Sequence, residues 1–241
     1  MVKCSNCGLD IDDNFENCPN CGNDLSKSDV EVKKEEISTC SNCGAELKDS
    51  DSFCASCGSK VESSLLPPNV ELRSGDIVLR CGSGVTSRAV LWADNGGSYS
   101  HVGIVVDSAG VKMIVHAVPD EHDGLEDVDR VKMERPEFFF SSVRTSNGRI
   151  MRYPDRLKAS KAGMEAYGIY RRGMLFDHDY DDCDTTRMYC CELVEHVYQK
   201  EGISIVGAER HDIRLPVFSY EHVMLPSDFL KSKELETIVY F

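Results

Sequence analysis

The chain has 241 residues, of which 41% are hydrophobic, and it carries a formal net charge of −14. Its length fits one domain of ordinary size with a smaller part attached. The acidic balance is shared, since residues 1–65 hold 6 Lys and Arg against 13 Asp and Glu, and residues 66–241 hold 21 against 28. Neither part offers the basic surface that nucleic-acid phosphates require, which argues against nucleic acid as a partner.

The first residues, MVKCSNCG, lack the apolar core of a signal peptide, and the sequence has no run of about 18 apolar residues to span a bilayer. We therefore expect a cytoplasmic protein without a membrane span. In that compartment disulfides do not account for the 12 cysteines of the chain.

Eight of these cysteines form two copies of one motif near the start of the chain. In each copy, two Cys-x2-Cys pairs are separated by ten residues, and a glycine follows each pair. Two intervening residues allow a tight turn that aims both thiolates at one ion, and two such pairs complete the four-sulfur shell of a structural zinc site. The eight candidate ligands are Cys4, Cys7, Cys18, Cys21, Cys40, Cys43, Cys54 and Cys57.

The repeated motif resembles a tandem zinc ribbon. The sequence predicts ribbons over residues 1–25 and 39–61, joined by a charged linker at 26–38 and followed by a second linker at 62–70. We expect two structural zinc ions as cofactors, with iron in a rubredoxin-like centre as the alternative metal. A closed four-sulfur shell leaves no position for catalysis, so the ribbons are interpreted as a docking module for a protein partner.

Residues 71–241 alternate short apolar strands with amphipathic helices. The pattern predicts strands at 75–80, 100–107, 111–118, 148–153 and 236–241, and helices at 84–93, 155–173 and 188–201. Because only Ser-Ala-Gly separates the second strand from the third, these two form a hairpin. Helices packed around an antiparallel sheet make the predicted fold class α+β.

Two adjacent cysteines begin the last predicted helix. The positions three, four and seven residues after Cys190 are all apolar, whereas the same steps from Cys191 reach the polar Glu195. Neighbouring helical residues point about 100° apart, so we expect Cys190 on the buried face of the helix and Cys191 nearer its polar side. A thiol at a helix start is stabilised as the thiolate by free N–H groups and the helix dipole, which makes Cys190 the candidate nucleophile.

A thiolate nucleophile requires an imidazole to exchange its proton. His101 begins one strand of the predicted hairpin and His116 lies near the end of the other, so antiparallel pairing brings them together. One imidazole then acts as the base while the other orients it. A buried structural cysteine beside a core histidine is the alternative interpretation.

Three segments taken together, GDIVLR, SHVGIVV and YCCELV, resemble the YiiX/YaeF-like (YebB-like) permuted papain-fold cysteine hydrolases. These are relatives of the NlpC-type peptidases and of lecithin:retinol acyltransferase. The resemblance implies a papain-like domain over 71–241 with an antiparallel sheet and packed helices. It also implies that His101 is the catalytic histidine and Cys190 the nucleophile.

The resemblance places His116 where many relatives have a glutamate. A histidine there can orient His101 but brings no negative charge to stabilise an imidazolium. The acidic segment 173–181, which precedes the nucleophile helix, is expected either to line the cleft or to form a solvated loop.

The sequence thus predicts a cysteine hydrolase that cleaves a peptide, other amide or lipid-amide bond through an acyl-enzyme on Cys190. Two alternatives stay open. One is an acyltransferase or thioesterase of the lecithin:retinol acyltransferase type, and the other is a catalytically inactive zinc-ribbon adaptor.

Overall fold

A computed structural model describes residues 63–119, 128–181, 184, 186–214 and 219–241, together with short N-terminal pieces at 2–3, 10–11, 38–39, 45–47, 51 and 53–58. The chain divides into two compact units, Met1–Val61 and Glu62–Phe241. Among the described helices, none is long and apolar enough to cross a membrane.

The first unit contains two short antiparallel ladders. Strands β1 (Val2–Lys3) and β2 (Asp10–Ile11) pair with each other, and β3 (Ser38–Thr39) pairs with β4 (Glu46–Leu47). Each copy of the cysteine motif therefore contributes one small hairpin.

The second unit is built from strands and helices that follow one another in the order β5 (Ile77–Gly82), α1 (Val85–Ala93), β6 (His101–Ser108), β7 (Val111–Val118), β8 (Arg130–Glu134), α2 (Pro136–Phe139), β9 (Thr145–Arg152), α3 (Arg156–Arg171), β10 (Leu175–Phe176), β11 (Arg187–Met188), α4 (Cys190–Gln199), β12 (His211–Arg214), β13 (Ser219–Val223), α5 (Pro226–Lys231) and β14 (Glu236–Tyr240). Among the described residues, eight strands form one sheet in the order β11-β10-β8-β7-β6-β5-β9-β14. Neighbouring strands run antiparallel, except that β10 and β11 are parallel.

The two faces of this sheet bury different clusters. Alternate residues of β6 point to opposite faces, so Val102 and Ile104 join the large cluster with α3 and α4, whereas Val105 packs with Phe139 and Phe140. The helices α3 and α4 thus cover one face of the sheet. The short helix α2 and its aromatic side chains cover the central strands on the other face. This arrangement confirms the predicted α+β class.

The helix α3 packs very closely against the start of β5. A Cβ atom on Gly75 would lie 2.2 Å from the carbonyl oxygen of Ala159, so only glycine fits at this contact. The Tyr198 hydroxyl of α4 donates a hydrogen bond of 2.5 Å to the Gly75 carbonyl. These contacts tie α3 and α4 to the start of β5.

The predicted strands, helices and hairpin are present with boundaries shifted by a few residues. The prediction missed β8, α2, α5 and the short strands β10 to β13. In α1, Val85 and Trp92 are 85% and 63% exposed, so the apolar side of this helix is not buried in the core.

Candidate active site

The register of the central hairpin sets two histidines side by side. Pairing of Ile104 with Val115 places Gly103 opposite His116, one step along β6 from His101 on the same face. A Cβ on Gly103 would meet the His116 Cβ at 3.2 Å and an Ile114 methyl at 2.9 Å. The absence of a side chain at Gly103 therefore leaves room for the His116 ring.

The two rings are joined by a hydrogen bond. His101 Nε2 lies 2.8 Å from His116 Nδ1, and the rings meet edge to face with their centroids 5.1 Å apart. Both side chains are buried, and both pack against the Phe139 ring. Since its Nε2 faces His116, His101 presents Nδ1 to its other neighbour, Cys190.

Cys190 is the first residue of α4, and its thiol interacts electrostatically with the His101 side chain. The pKa of the Cys190 thiol is well below its usual value because the Cys191 thiol donates to its sulfur. Burial opposes this effect, and the contacts with His101 and the Val102 N–H add to it. Burial lowers the pKa of His101 to about 4, against the effect of Cys190. At neutral pH the imidazole is therefore available to accept a proton.

Cys191 occupies a different environment from the one that the helix pattern predicted. It is 1% exposed, whereas Cys190 is half-buried, and both residues line the same cavity. The expectation that Cys190 lies on the buried face of the helix and Cys191 nearer its polar side was therefore wrong. Burial raises the pKa of the Cys191 thiol well above its usual value, with the neighbouring Cys190 acting in the same direction. The two sulfurs are 3.9 Å apart, and Cys191 is placed to donate a hydrogen bond to Cys190.

The supposed polar side of α4 is buried because its carboxylates have partners inside the protein. Glu195, which is 2% exposed, accepts hydrogen bonds of 2.9 Å from the backbone N–H groups of Ile205 and Val206 and one of 2.7 Å from the Ser204 hydroxyl. A buried carboxylate with several donors carries little penalty. The residue types along α4 therefore did not predict correctly that Glu195 is buried.

Glu134 of β8, which the sequence analysis did not identify, contacts His116 on the side away from His101. Its Oε1 atom lies 3.2 Å from His116 Nε2, and the guanidinium of Arg144 lies 3.2 Å from Oε2. Burial raises the pKa of this carboxyl, but His116, Arg80 and Arg144 outweigh that effect and hold the pKa at about 2. Glu134 therefore supplies the negative charge that a histidine at position 116 lacks.

Arg80, His101, His116 and Glu134 come from four adjacent strands of the sheet. Arg80 pairs directly with His101 across β5 and β6, and Ile114 pairs with Glu134 across β7 and β8. The four side chains therefore share one face and run diagonally across the sheet. A rigid, hydrogen-bonded sheet holds such a row in fixed geometry.

Cys190 and His101 both open onto a cavity of about 320 Å³. Tyr180 lines this cavity with a positive φ of 55°, and the turn that carries it is held by the buried Asp177, which accepts the N–H groups of Asp179 and Asp181. Neither Asp179 nor Asp181 lines the cavity. The acidic segment thus positions a tyrosine and does not place negative charge in the cleft.

Among the described residues, two further histidines have carboxylate partners of their own. His211 contacts Asp228 at 2.9 Å, and His178 contacts Asp129 at 3.1 Å. Cys81 on β5 is half-buried and lines no described cavity next to Cys190. His122 and Cys183 lie outside the described residues.

Glu209, His211 and Asp228 bring potential metal-binding atoms within 4.8 Å of one another. The Lys231 ammonium lies 3.0 Å from Asp228 Oδ1 and 3.2 Å from Glu209 Oε1. This ammonium already supplies the positive charge that a cation would bring.

In the zinc-ribbon region, the last Cys-x2-Cys pair is the described part of the predicted sites. Cys54 is buried, a turn leads to Cys57, and the N–H of Gly58 donates a 2.8 Å hydrogen bond back to the Cys54 carbonyl. The φ of Gly58 is +73°, which favours glycine at this position. This tight turn fits a zinc-binding pair, whereas Cys4, Cys7, Cys18, Cys21, Cys40 and Cys43 lie outside the described residues.

Comparison with known families agrees with both parts of this description. Residues 71–239 match a family described as permuted papain-like amidase enzyme, YaeF/YiiX, C92 family, and residues 4–58 match the double zinc ribbon family. The chain is similar in fold to the crystal structure of metalloprotein YiiX from Escherichia coli O157:H7, with a TM-score of 0.57 and 18% sequence identity over 70% of this chain and 98% of that one. No curated protein matches the chain.

Proposed function

Since the chain belongs to the permuted papain-like amidase family and is a cysteine hydrolase of the amidase type, we propose that Cys190 is its nucleophile and His101 its acid–base group. The observation that carries this assignment is the row of side chains that runs from Cys190 through the buried His101 and His116 to Glu134. The row brings together a thiol, two imidazoles and a carboxylate, which are the groups that a nucleophile, a base and its orienting partners require.

The proposed reaction begins with transfer of the Cys190 proton to His101. The sulfur attacks the carbonyl carbon of an amide, and negative charge develops on the carbonyl oxygen near the N-terminus of α4, where the Cys190 N–H is available to stabilise it. His101 then returns the proton to the amine nitrogen as the C–N bond breaks. An acyl group remains bound to Cys190 as a thioester.

The second half of the reaction uses the same groups with water. His101 accepts a proton from a water molecule, whose oxygen attacks the thioester carbon. As the C–S bond breaks, the departing sulfur takes this proton from His101, the acid leaves and both groups are regenerated. During both halves, His116 fixes the orientation of His101, and Glu134 stabilises positive charge on the two rings.

The zinc ribbons supply no group to this reaction. The eight cysteines would hold zinc in closed four-sulfur shells, where the metal supplies folding free energy to a region with few apolar residues. We assign these ribbons a docking role toward a protein partner, supported by their closed shells and by their acidic charge, which disfavours nucleic acid.

The experiment that tests the proposed nucleophile is detection of the thioester. Full-length protein is mixed with a panel of chromogenic acyl anilides, quenched in acid and analysed by mass spectrometry of its peptides. We expect an acyl adduct on Cys190 in the wild type and in the control Cys81→Ser, and neither an adduct nor anilide cleavage in Cys190→Ala. An adduct on another residue would refute the assignment.

The same experiment separates hydrolysis from acyl transfer, which shares the first half of the reaction. With water as the acceptor, the free acid appears at the same rate as the aniline. An ester or new amide that forms when alcohols or amines are added would favour the acyltransferase alternative. No reaction with any anilide would favour the inactive adaptor.

A further inference from the structure

Two thiols lie side by side at the start of α4. The sulfurs of Cys190 and Cys191 are 3.9 Å apart. They differ in access, because Cys190 is half-buried whereas Cys191 is 1% exposed. The proposed hydrolysis forms and breaks bonds at the Cys190 sulfur alone, so a second thiol at this distance has no covalent role in it.

The two thiols also differ in reactivity. The Cys191 thiol donates to the Cys190 sulfur and holds the pKa of Cys190 well below its usual value, whereas burial raises the pKa of Cys191. A peroxide oxidises a thiolate that it can reach, so Cys190 is the member of the pair that reacts first. An accessible thiolate beside a second thiol is the arrangement typical of cysteines that are oxidised reversibly.

We infer that Cys190 and Cys191 form a site of reversible oxidation, at which hydrogen peroxide converts the two thiols into a disulfide bond. The Cys190 thiolate attacks one oxygen of the peroxide, the O–O bond breaks, and the departing hydroxide takes up the proton that this thiol had released. Cys190 is then a sulfenic acid. The Cys191 sulfur attacks the Cys190 sulfur, the S–O bond breaks, and the second hydroxide leaves as water with the Cys191 proton. The two cysteines lose two electrons, and the peroxide is reduced to water.

The place of the pair in the helix allows this bond to form. The sulfurs have to approach by about 2 Å to reach the S–S bond length of about 2.05 Å. The first N–H groups of an α-helix have no partner within the helix, so its first turn can adjust at a smaller cost than a central turn. Tyr189, which precedes the pair, already has extended backbone with a φ of −96° and a ψ of 174°.

A disulfide between neighbouring residues is also easily reduced. Adjacent Cα atoms lie about 3.8 Å apart, below the range of about 4.4–6.8 Å that most disulfides span, so the bond is strained. Strained disulfides have higher reduction potentials, and a small thiol can reduce this one. Oxidation would therefore block the nucleophile reversibly and protect it from conversion to the sulfinic acid. The loss of activity rests on the proposed function, in which Cys190 is the nucleophile.

Mass spectrometry of one tryptic peptide tests the inference directly. Cleavage after Arg187 and Lys200 gives a peptide that contains Cys190 and Cys191 and no other cysteine. Zinc-loaded full-length protein is treated with hydrogen peroxide, its free thiols are blocked with iodoacetamide in denaturant, and the digest is analysed without reduction. We expect this peptide to be two hydrogens lighter and to carry no alkyl group. After treatment with dithiothreitol it should carry two alkyl groups.

The anilide assay on the same samples measures the effect on activity. We expect cleavage to fall in proportion to the disulfide formed and to return with dithiothreitol. In Cys191→Ser no such disulfide can form, so excess peroxide should carry Cys190 to the sulfinic acid, and activity should stay lost after dithiothreitol. The matched control Cys81→Ser should behave like the wild type. Each variant is compared with its own untreated sample, so a change in basal activity does not affect the result.

Several results would overturn the inference. These are an unmodified peptide, a Cys190 sulfenic acid that dimedone traps beside a free Cys191 thiol, a disulfide from Cys190 to another peptide, and equal recovery of activity in Cys191→Ser and the wild type. A disulfide between Cys190 and Cys191 in fully active protein would support the oxidation site and contradict Cys190 as the nucleophile. If no anilide is cleaved, the mass of the peptide still decides whether the disulfide forms.

Discussion

His116 Nε2 lies 3.2 Å from Glu134 Oε1, so a carboxylate stands behind the second histidine of the site and not beside the first. His116 connects this carboxylate to the first histidine, because its Nδ1 atom lies 2.8 Å from His101 Nε2. The site therefore holds the proposed nucleophile, two imidazoles and a carboxylate in one row. Glu134 is interpreted as a positioning residue because it acts through His116 and does not reach the nucleophile.

Glu134→Gln tests this role. Loss of the negative charge makes an imidazolium in the row less stable, so the thiolate of Cys190 is less favoured and its pKa rises. We expect the acidic limb of the pH profile of Cys190 alkylation to move to higher pH. We also expect amide kcat/KM to fall by about tenfold, which is less than the loss caused by removing a group that contacts the reacting atoms.

The matched control for this variant is Glu137→Gln, three residues further on and exposed to solvent. It removes the same charge from a position outside the row. A merely structural role for Glu134 would lower the rate at every pH without moving the acidic limb, and that result would refute the positioning role.

Gly103→Ala tests the space beside the histidines. An added methyl would approach Ile114 at 2.9 Å and the His116 Cβ at 3.2 Å, so the His116 side chain has to move. We expect a fall in kcat of about tenfold or more with little change in KM, because misplacement by a fraction of an ångström disturbs catalysis before binding. Unchanged kcat in correctly folded Gly103→Ala would show that the fit around His116 is not critical.

The zinc ribbons lead to a prediction about metal content. We expect about two zinc ions per chain, because each of the two motifs supplies four thiolates. Cys57→Ser is expected to remove about one of them, whereas Cys81→Ser keeps both. Elemental analysis of purified protein measures this directly, and iron in place of zinc would identify the rubredoxin-like alternative.

Chelation of that zinc separates the two units functionally. The proposed mechanism uses no cysteine of the ribbons, so we expect amide hydrolysis to persist after chelation while the ribbon region loses its structure. Circular dichroism and the anilide assay follow the two effects on the same sample. Complete loss of activity together with the zinc would contradict an independent hydrolase unit.

The ion pair between Asp76 and Arg152 is predicted to be important for stability. Arg152 donates two hydrogen bonds to Asp76, of 2.7 Å and 2.8 Å, and Asp76 is 1% exposed. Removing the partner of a buried charge costs about 3–5 kcal/mol, so we expect Arg152→Met to lower the free energy of unfolding by about that amount in urea titrations.

A surface ion pair provides the comparison. Arg172 and Glu165 are 57% and 37% exposed at their side chains, and such pairs contribute about 0–1 kcal/mol. Arg172→Met should therefore leave the unfolding midpoint almost unchanged. Similar losses for the two variants would show that burial of Asp76 does not decide the effect.

The sequence was sufficient to locate the central hairpin and its two histidines. Alternating apolar residues fixed the two strands, and the short Ser-Ala-Gly turn fixed their register, so proximity of His101 and His116 followed from local information. Glu134 could not be found in this way. Its strand follows residues 120–127, which have no periodic pattern, and its contact with His116 depends on a long-range pairing of β7 with β8.

The environment of the two cysteines shows a second limit of sequence patterns. Counting along the helix singled out Cys190, but it assigned Cys191 and Glu195 to the polar side of the helix, and both are buried. The carboxylate of Glu195 is buried because residues 204–206 return to donate hydrogen bonds to it. Helical periodicity cannot predict such hydrogen-bond partners, because they come from a different segment of the chain.

The most direct test of the central claim is site-resolved alkylation of zinc-loaded protein by iodoacetamide, followed by mass spectrometry from about pH 8 to about pH 6. An ordinary thiol with a pKa of about 8.5 loses about 75-fold in thiolate over this range. The lowered pKa of Cys190 predicts that its labelling rate falls only a few-fold, that Cys191 labels far more slowly, and that His101→Ala removes the advantage of Cys190. Faster labelling of Cys191, or a Cys190 rate that follows an ordinary thiol, would contradict the account.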